Sequence, residues 1–422
     1  MPWLALGILQ ALFTAAGAWG VWLVLIKLDH AGGSLLRRLF VVPAVAAAIW
    51  ATRELIASSW PYGGFSWGRL AQSQSDSPFR FIVAWLGVTG LSFVIAFISV
   101  MAFQLLRLSR RRVLAAAFFV CVVVALALVP MPQIAPSGTT SVLAVQGNSK
   151  AGLFDDRTTG DILADHVQLT LPLQGKSIDM IVWPENATDL DPTRSLTAAK
   201  TLTTVSTLLK APIVTGAIVL DGDGSYSNSS LVWDGARGPV ARYDKIHPVP
   251  FAEYMPDRAF WRSLAPELVD LVGYDYHVGT RSPVVNVNGV SAGITICFDI
   301  TVESQLRDMV RQGASIVLAQ TNNADFGQTD ENLQQLAIAR LAAIEMGRGV
   351  VNISTVGTSQ IISMDGSTIA AIPAYQPGAM VADVPLARAI TPAMSLSPVV
   401  EIVLGLIAAL GLFVAILRRN RP

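Results

Sequence analysis

The chain has 422 residues, 52% of them hydrophobic and only 14% charged, well below the roughly one quarter charged that is usual for soluble domains. Its 30 basic and 30 acidic side chains cancel and its four histidines are scattered, so no electrostatic footprint for nucleic acid is present. The two cysteines lie one in an apolar run and one in a polar region, without C-x-x-C or H-E-x-x-H spacing, which argues against a disulfide and a zinc site; no metal and no cofactor is expected.

A helix needs roughly 20 apolar residues to cross the hydrocarbon core of a bilayer. In chain order, Trp3–Ile26, Leu39–Trp60, Phe81–Leu106, Val113–Met131 and Ser397–Leu417 have that character, with Arg53 and Glu54 in the last third of the second. Those two fit a span if they lie near the headgroups or pair. A signal peptide at the start would need a basic n-region, whereas the first basic residue is Lys27. Lys27, Arg37 and Arg38 follow the first span, Arg107, Arg110, Arg111 and Arg112 the third, and Arg418, Arg419 and Arg421 the last; the loop between spans two and three holds only Arg69 and Arg80. The excess of cytoplasmic Lys and Arg then predicts residues 1–131 as about four spans, 132–393 as an extracytoplasmic domain, and 394–422 as a final span with a basic cytoplasmic tail. It also puts the first residue outside, which predicts an odd number of further spans upstream.

Between Thr140 and Pro385 the pattern changes to an α/β rhythm. Strands are expected at Ser141–Val145, Asp179–Val182, Pro212–Val219, Ser230–Trp233, Pro283–Val287, Ala292–Ile296, Ser315–Leu318, Val350–Ser354 and Gln360–Met364. Helices are expected at Val302–Gln312 and Asp330–Gly347, the latter with an apolar face from Leu333 to Ile344. About 245 residues suffice for one large core.

Three residues in this region carry candidate chemistry. Cys297 ends an apolar strand just ahead of a helix, where amide N–H groups would favour a thiolate; a buried structural thiol is the plain alternative. Glu185 ends another strand after Trp183 and Pro184, and a carboxylate at a strand's carboxyl end is site material in α/β folds, although a surface ion pair reads the same. Lys245 follows the strand-like Val240–Tyr243, and alone would be an ordinary surface charge. Together they supply a nucleophile, a base and a fixed ammonium for an oxyanion, a complete acyl-transfer set.

These segments carry a resemblance. Trp183-Pro184-Glu185, Tyr243-Asp244-Lys245 with the following His247-Pro248-Val249-Pro250-Phe251 through Pro256, and Cys297 after Gly293-Ile294-Thr295-Ile296 resemble the nitrilase superfamily with its Glu-Lys-Cys triad. With the flanking apolar helices, the chain is similar to the apolipoprotein N-acyltransferase family within it. Val145-Gln146-Gly147-Asn148, Gly64–Gly68, Thr321–Gly327, the helix from Ala339-Arg340 to Glu345 and Arg348, Gly357-Thr358-Ser359 and Asp365-Gly366 also fit. The resemblance implies a four-layer αββα sandwich inserted into a transmembrane helical bundle of a bacterial-type cell membrane, and about three further spans upstream.

It also implies the reaction. Glu185 would take the Cys297 proton, the sulfur would attack a phospholipid ester, and Lys245 would hold the oxyanion; the thioester would then pass its acyl group to the α-amine of a diacylglyceryl-cysteine at the N-terminus of an apolipoprotein. Glu253 matches the family's second glutamate. The apolar residues Phe251, Tyr254, Phe260 and Trp261 suggest a loop that dips into the interface and admits the acyl chain. The family commonly has Tyr-Glu after the nucleophile where this chain has Phe298 and Asp299, and a Trp often found after V-Q-G-N is not evident in Ser149–Arg157. A membrane-anchored amidase or nitrilase would use the same triad with water as acceptor, and a lipoprotein-binding scaffold would need none of it. Gly64–Gly68 also satisfies G-x-S-x-G, but lacks the strand and helix that a nucleophile elbow requires.

Overall fold

The computed structural model describes residues 2–29, 34–107, 112–152 and 155–418. Arg110, Arg111, Arg419 and Arg421 of the basic clusters lie outside the described residues, and the side chains of Trp3 and Arg112 are likewise not described. Contacts divide the chain into two compact units, residues 1–133 with 391–422, and residues 134–390.

The first unit is helical. Helices α1 (Pro2–Leu28), α2 (Val42–Ala57), α3 (Val83–Leu106), α4 (Arg112–Ala127) and α11 (Ala393–Leu417) carry its apolar runs, and a π-helical turn, Arg37–Val41, leads into α2. Among the described residues four segments are long and apolar enough to cross a membrane: Leu4–Leu28, Arg37–Ala57, Arg80–Leu106 and Ala393–Leu417. The run Val113–Met131 forms a shorter helix than its composition suggests. Its 16 helical residues reach only about 24 Å, because the chain leaves the helix ahead of Pro130 and Pro132. Leu23, Val24, Val42, Ile49, Leu404 and Ala408 make one buried seam between α1, α2 and α11. Gly411 lets α11 approach α2 closely, since a Cβ there would lie 2.2 Å from Val45 Cγ1. At one end of the bundle Asp29 accepts Arg107 at 2.6 Å and pairs with Arg38 at 3.3 Å, while Lys27 donates to the Arg418 carbonyl at 3.3 Å. At the other end, Glu54 holds the loop that follows α2: it accepts the Leu70 amide and the Trp50 indole, both at 3.0 Å, and lies 3.8 Å from Arg69. Ser66, in G-F-S-W-G, donates to the Ser58 carbonyl at 3.0 Å and closes the same loop.

The second unit is α/β. Its first sheet contains β1 (Pro136–Gln146), β2 (Met180–Val182), β3 (Ile213–Leu220), β4 (Tyr226–Asp234), β5 (Gly238–Asp244) and β12 (Gly378–Ala387), in the order β12-β1-β2-β3-β4-β5. The second contains β6 (Val284–Val287), β7 (Val290–Ile296), β8 (Ile316–Thr321), β9 (Gly349–Ser354), β10 (Ser359–Ile362) and β11 (Thr368–Ile372), in the order β11-β10-β9-β8-β7-β6. Each sheet has a parallel centre, β1-β2-β3 and β7-β8-β9, flanked by antiparallel strands.

Alternation along the strands sends Val142, Ala144, Val182, Val214 and Val232 from the first sheet against Val285, Ile294, Ile316, Leu318 and Val351 from the second, forming one buried core between the sheets. The residues between these on the first sheet, Leu143, Ile181, Trp183 and Ile213, face Leu163 of α5 (Asp161–Thr170) and Leu202 and Val205 of α6 (Leu196–Leu209). Helices α9 (Glu303–Arg311) and α10 (Glu331–Met346) cover the other sheet, with Met309 against Gly293 of β7. The result is the expected four-layer αββα sandwich.

Candidate active site

Parallel strands collect side chains where the chain leaves their carboxyl ends, and the crevice outside those ends is where α/β folds bind ligands. Glu185 leaves β2, Lys245 leaves β5 and Cys297 leaves β7, and the structure brings all three together. The Trp183-Pro184-Glu185 turn lies flat on β3 because Gly216 has no side chain; a Cβ there would meet the Glu185 Cα at 2.6 Å. The Glu185 carbonyl accepts from Thr355 after β9 at 2.8 Å, and its carboxylate accepts from Asn228 of β4 at 2.8 Å and from the Asn322 amide after β8 at 2.9 Å.

Lys245 is buried, with its ammonium 2.7 Å from Glu253 and 3.9 Å from Glu185. Glu253 in turn accepts the Val249 amide at 2.7 Å and the Asn228 carboxamide at 2.8 Å, which folds the loop back onto the lysine. Burial alone would lower the Lys245 ammonium, but Glu253 and then Glu185 outweigh it and raise it. It is therefore a permanent cation and serves as a hydrogen-bond donor rather than a base. Burial pushes the Glu185 carboxyl up to about 7, with Lys245 opposing and Glu253 adding to the rise.

Cys297 has φ 49°, a left-handed conformation that is strained for a residue with a side chain. The half-buried residue opens a 3₁₀ turn, Cys297–Thr301, which precedes α9. Burial and then the Glu185 charge push its thiol up to about 12. The expectation of a thiolate favoured by helix N-terminal amides is thus corrected: the helix starts at Glu303, and an unpaired sulfur anion beside Glu185 is disfavoured. The resting group is a thiol that needs a base, and a carboxyl near 7 fits that task at neutral pH. Gln335 of α10 donates to the sulfur at 3.7 Å.

Phe298 is half-buried and Asp299 fully buried. Asp299 accepts the Tyr243 hydroxyl at 2.8 Å and the amides of Ile296 at 3.1 Å and His247 at 3.3 Å, so it ties the nucleophile's turn to the lysine's strand. Phe251, at φ 65°, packs edge-on against Trp261 at 5.4 Å, and Phe260 does so at 5.1 Å. Phe260 is 58% exposed and Phe251 40%, so these rings are a surface feature rather than core. Tyr254 is half-buried and its backbone is bridged to Pro250. Among the described residues no group of three His, Cys, Asp or Glu side chains could hold a metal ion.

A buried carboxyl, a fixed ammonium and a thiol are the groups that acyl transfer through sulfur calls for. The profile of the carbon-nitrogen hydrolase family matches residues 141–391, more than half of the chain. The chain belongs to the carbon-nitrogen hydrolase family. A second profile, the apolipoprotein N-acyltransferase N-terminal domain, matches residues 1–101 of the chain. The apolipoprotein N-acyltransferase of Mycolicibacterium smegmatis is 34% identical over 310 residues, which cover 69% of this chain and 52% of that protein. That of Shewanella oneidensis is 28% identical over 373 residues, covering 84% and 69%. The chain thus spans about half the length of the first of these relatives. Among solved structures, an amidase from Nesterenkonia sp. aligns with a TM-score of 0.45 and 14% identity over 63% of this chain and 96% of that one.

Several residues of the site stand outside the motifs that the sequence shows. Asn228, Gln335 and the Asn322 amide touch the triad directly, and Tyr276, joined to the Glu253 carbonyl through its amide at 2.8 Å, has a phenol that burial and then Glu253 raise to about 12. For Asn228 a signal existed. Alternation along β4 directs Tyr226, Asn228, Ser230 and Val232 to the inner face, and polar residues at inward positions of a buried strand mark a site.

Proposed function

We propose that this protein is an apolipoprotein N-acyltransferase that moves a fatty acyl chain from a membrane phospholipid to the α-amine of an N-terminal diacylglyceryl-cysteine. The observation that carries this reading is one chain combining a buried Glu-Lys-Cys cluster of the carbon-nitrogen hydrolase type with an N-terminal domain that matches the acyltransferase family. Glu185 removes the Cys297 proton as sulfur attacks the ester carbonyl. Lys245 donates to the developing oxyanion. Collapse expels the lysophospholipid alkoxide, which takes the proton back from Glu185, and leaves a thioester on Cys297. The acceptor amine then attacks the thioester, Glu185 takes the amine proton, and the thiolate departs and is reprotonated, giving an amide. Thioester to amide is downhill, so no nucleotide is consumed.

Glu253 keeps Lys245 charged and oriented, Asp299 fixes the turn that presents Cys297, and the loop with exposed Phe251 and Phe260 and half-buried Tyr254 and Trp261 dips into the membrane interface to admit the acyl chain. The clustering of Lys27, Arg38, Arg107 and Arg418 at one end of the bundle supports a multi-pass topology in a bacterial-type cell membrane, with residues 132–393 on the extracytoplasmic side. Incubation of the purified protein with phospholipid and a diacylglyceryl lipopeptide tests the reaction. N-acylated lipopeptide with stoichiometric lysophospholipid is expected; free fatty acid without any lipopeptide product would favour a membrane-anchored carbon-nitrogen hydrolase instead.

A further inference from the structure

Glu185 and Glu253 share one ammonium, and two carboxylates drawn to a single cation also repel each other. The group between them is the carboxamide of Asn228. Its Nδ2 lies 2.8 Å from Glu185 Oε1 and 2.8 Å from Glu253 Oε1, and its backbone carbonyl accepts the Lys245 amide at 2.9 Å. One residue, 2% exposed, is therefore bonded to all three charged partners. Charge fixes the orientation of the amide, because its oxygen would be repelled by both carboxylates while the NH₂ group offers one N–H to each. The amide oxygen is buried with no hydrogen-bond partner, a cost expected where the nitrogen end of the side chain is what the site needs.

We infer that Asn228 is a positioning residue, a neutral clamp whose two protons keep Glu185 and Glu253 together around Lys245 in the geometry the base needs. Other side chains fail for definite reasons. Aspartate adds a third negative charge, serine or threonine supplies one proton, and a second lysine would hold Glu185 ionised too firmly to accept and return a proton. Glu185 is also faced by Lys245 after β5, Glu253 on the following loop, Cys297 after β7, the Tyr276 phenol and the Asn322 amide after β8. Of these groups Lys245 pairs with both carboxylates, at 3.9 and 2.7 Å, and it does so with a charge. A bond to an ionised carboxylate favours ionisation, so loss of the clamp leaves Glu185 protonated to higher pH.

The inference rests on Glu185 being the base for Cys297, and the test separates the two. In a Cys121→Ser background of the full chain in detergent, the remaining thiol is alkylated with iodoacetamide across pH. With Asn228 in place, the rate is expected to rise through an acid limb near pH 7. Asn228→Ala should move that limb upward by about one pH unit, Asn228→Ser by less, with folding checked by circular dichroism; if the alanine variant does not fold, the serine variant carries the test. A limb unmoved in the folded variants, with only a uniform drop in rate, overturns the clamp. Absence of any acid limb with Asn228 in place overturns Glu185 as the base, and the clamp with it.

Discussion

In the α/β unit Lys245 lies buried between Glu185 and Glu253, and in the helical unit Glu54 lies buried among Arg69, Arg53 and the Trp50 indole. Both clusters carry charge in apolar surroundings, where an unpaired ion would cost several kcal/mol. They differ in what remains open. Glu54 is spent on one loop: its partners are the Leu70 amide, an indole and guanidinium groups, and Arg69 continues to Thr89 of α3 at 2.7 Å. The Glu185 cluster abuts a half-buried thiol. Its carboxyl is poised near 7 and its neighbour thiol near 12, a gap across which a proton moves only when a bond to sulfur forms. Buried charge holds structure where every partner is protein, and does chemistry where one partner is left for a substrate.

Disabling the site should have the largest effect. Cys297→Ala removes the acyl adduct altogether, and Glu185→Gln should slow its formation by roughly a thousandfold, measured in a single turnover on phospholipid. With Glu185 intact the same rate should fall as pH drops through about 7, because the base must be ionised to accept the proton. Lys245→Met should cost about a hundred- to a thousandfold in that rate and leave two carboxylates unpaired; a variant as active as the parent would remove the lysine from the mechanism. Glu54→Ala sharpens the contrast from the other side. It takes the buried carboxylate away from Arg69 and Arg53 and should destabilise the protein by about 3–5 kcal/mol in detergent melting, yet leave the acid limb of Cys297 alkylation where it was. A shift of that limb would mean that the two clusters are coupled.

Smaller effects test charge and surface outside both clusters. His166 is buried against Trp183, and burial lowers its pKa to about 4. Above pH 6.5 it is neutral folded or unfolded and contributes nothing. As pH falls from 6.5 to 4 only the unfolded chain takes up the proton, so stability should drop by up to about 3 kcal/mol, and His166→Gln should flatten that profile. Replacing Phe251 and Trp261 together with serine should lower turnover on phospholipid vesicles by roughly tenfold, more than turnover of a water-soluble ester; equal losses would make the rings part of the site's packing.

Much of this was legible in the sequence because strands buried on both faces are continuous apolar runs, and Glu185 and Cys297 sit where such runs end, whereas Lys245 follows the partly exposed edge strand β5. What escaped has physical reasons. β12 contains Pro385, which reads as a break, but the strand lies at a sheet edge, where a missing N–H is tolerated. The Thr-rich helix α6, TLTTVSTLL in its core, has the β-branched composition of a strand, and packing against Trp183 and Trp233 overrides that propensity. Asp299 shows why a shorter acid can still serve after the nucleophile. Its three donors, Tyr243, Ile296 and His247, come from two chain segments that no local pattern brings together.

The most direct test of the central claim is the intact mass of the detergent-purified protein after incubation with phospholipid, followed by a diacylglyceryl lipopeptide. The account predicts one hydroxylamine-labile acyl adduct, absent from Cys297→Ala and discharged by the lipopeptide. No adduct, or one that only water discharges, would contradict it.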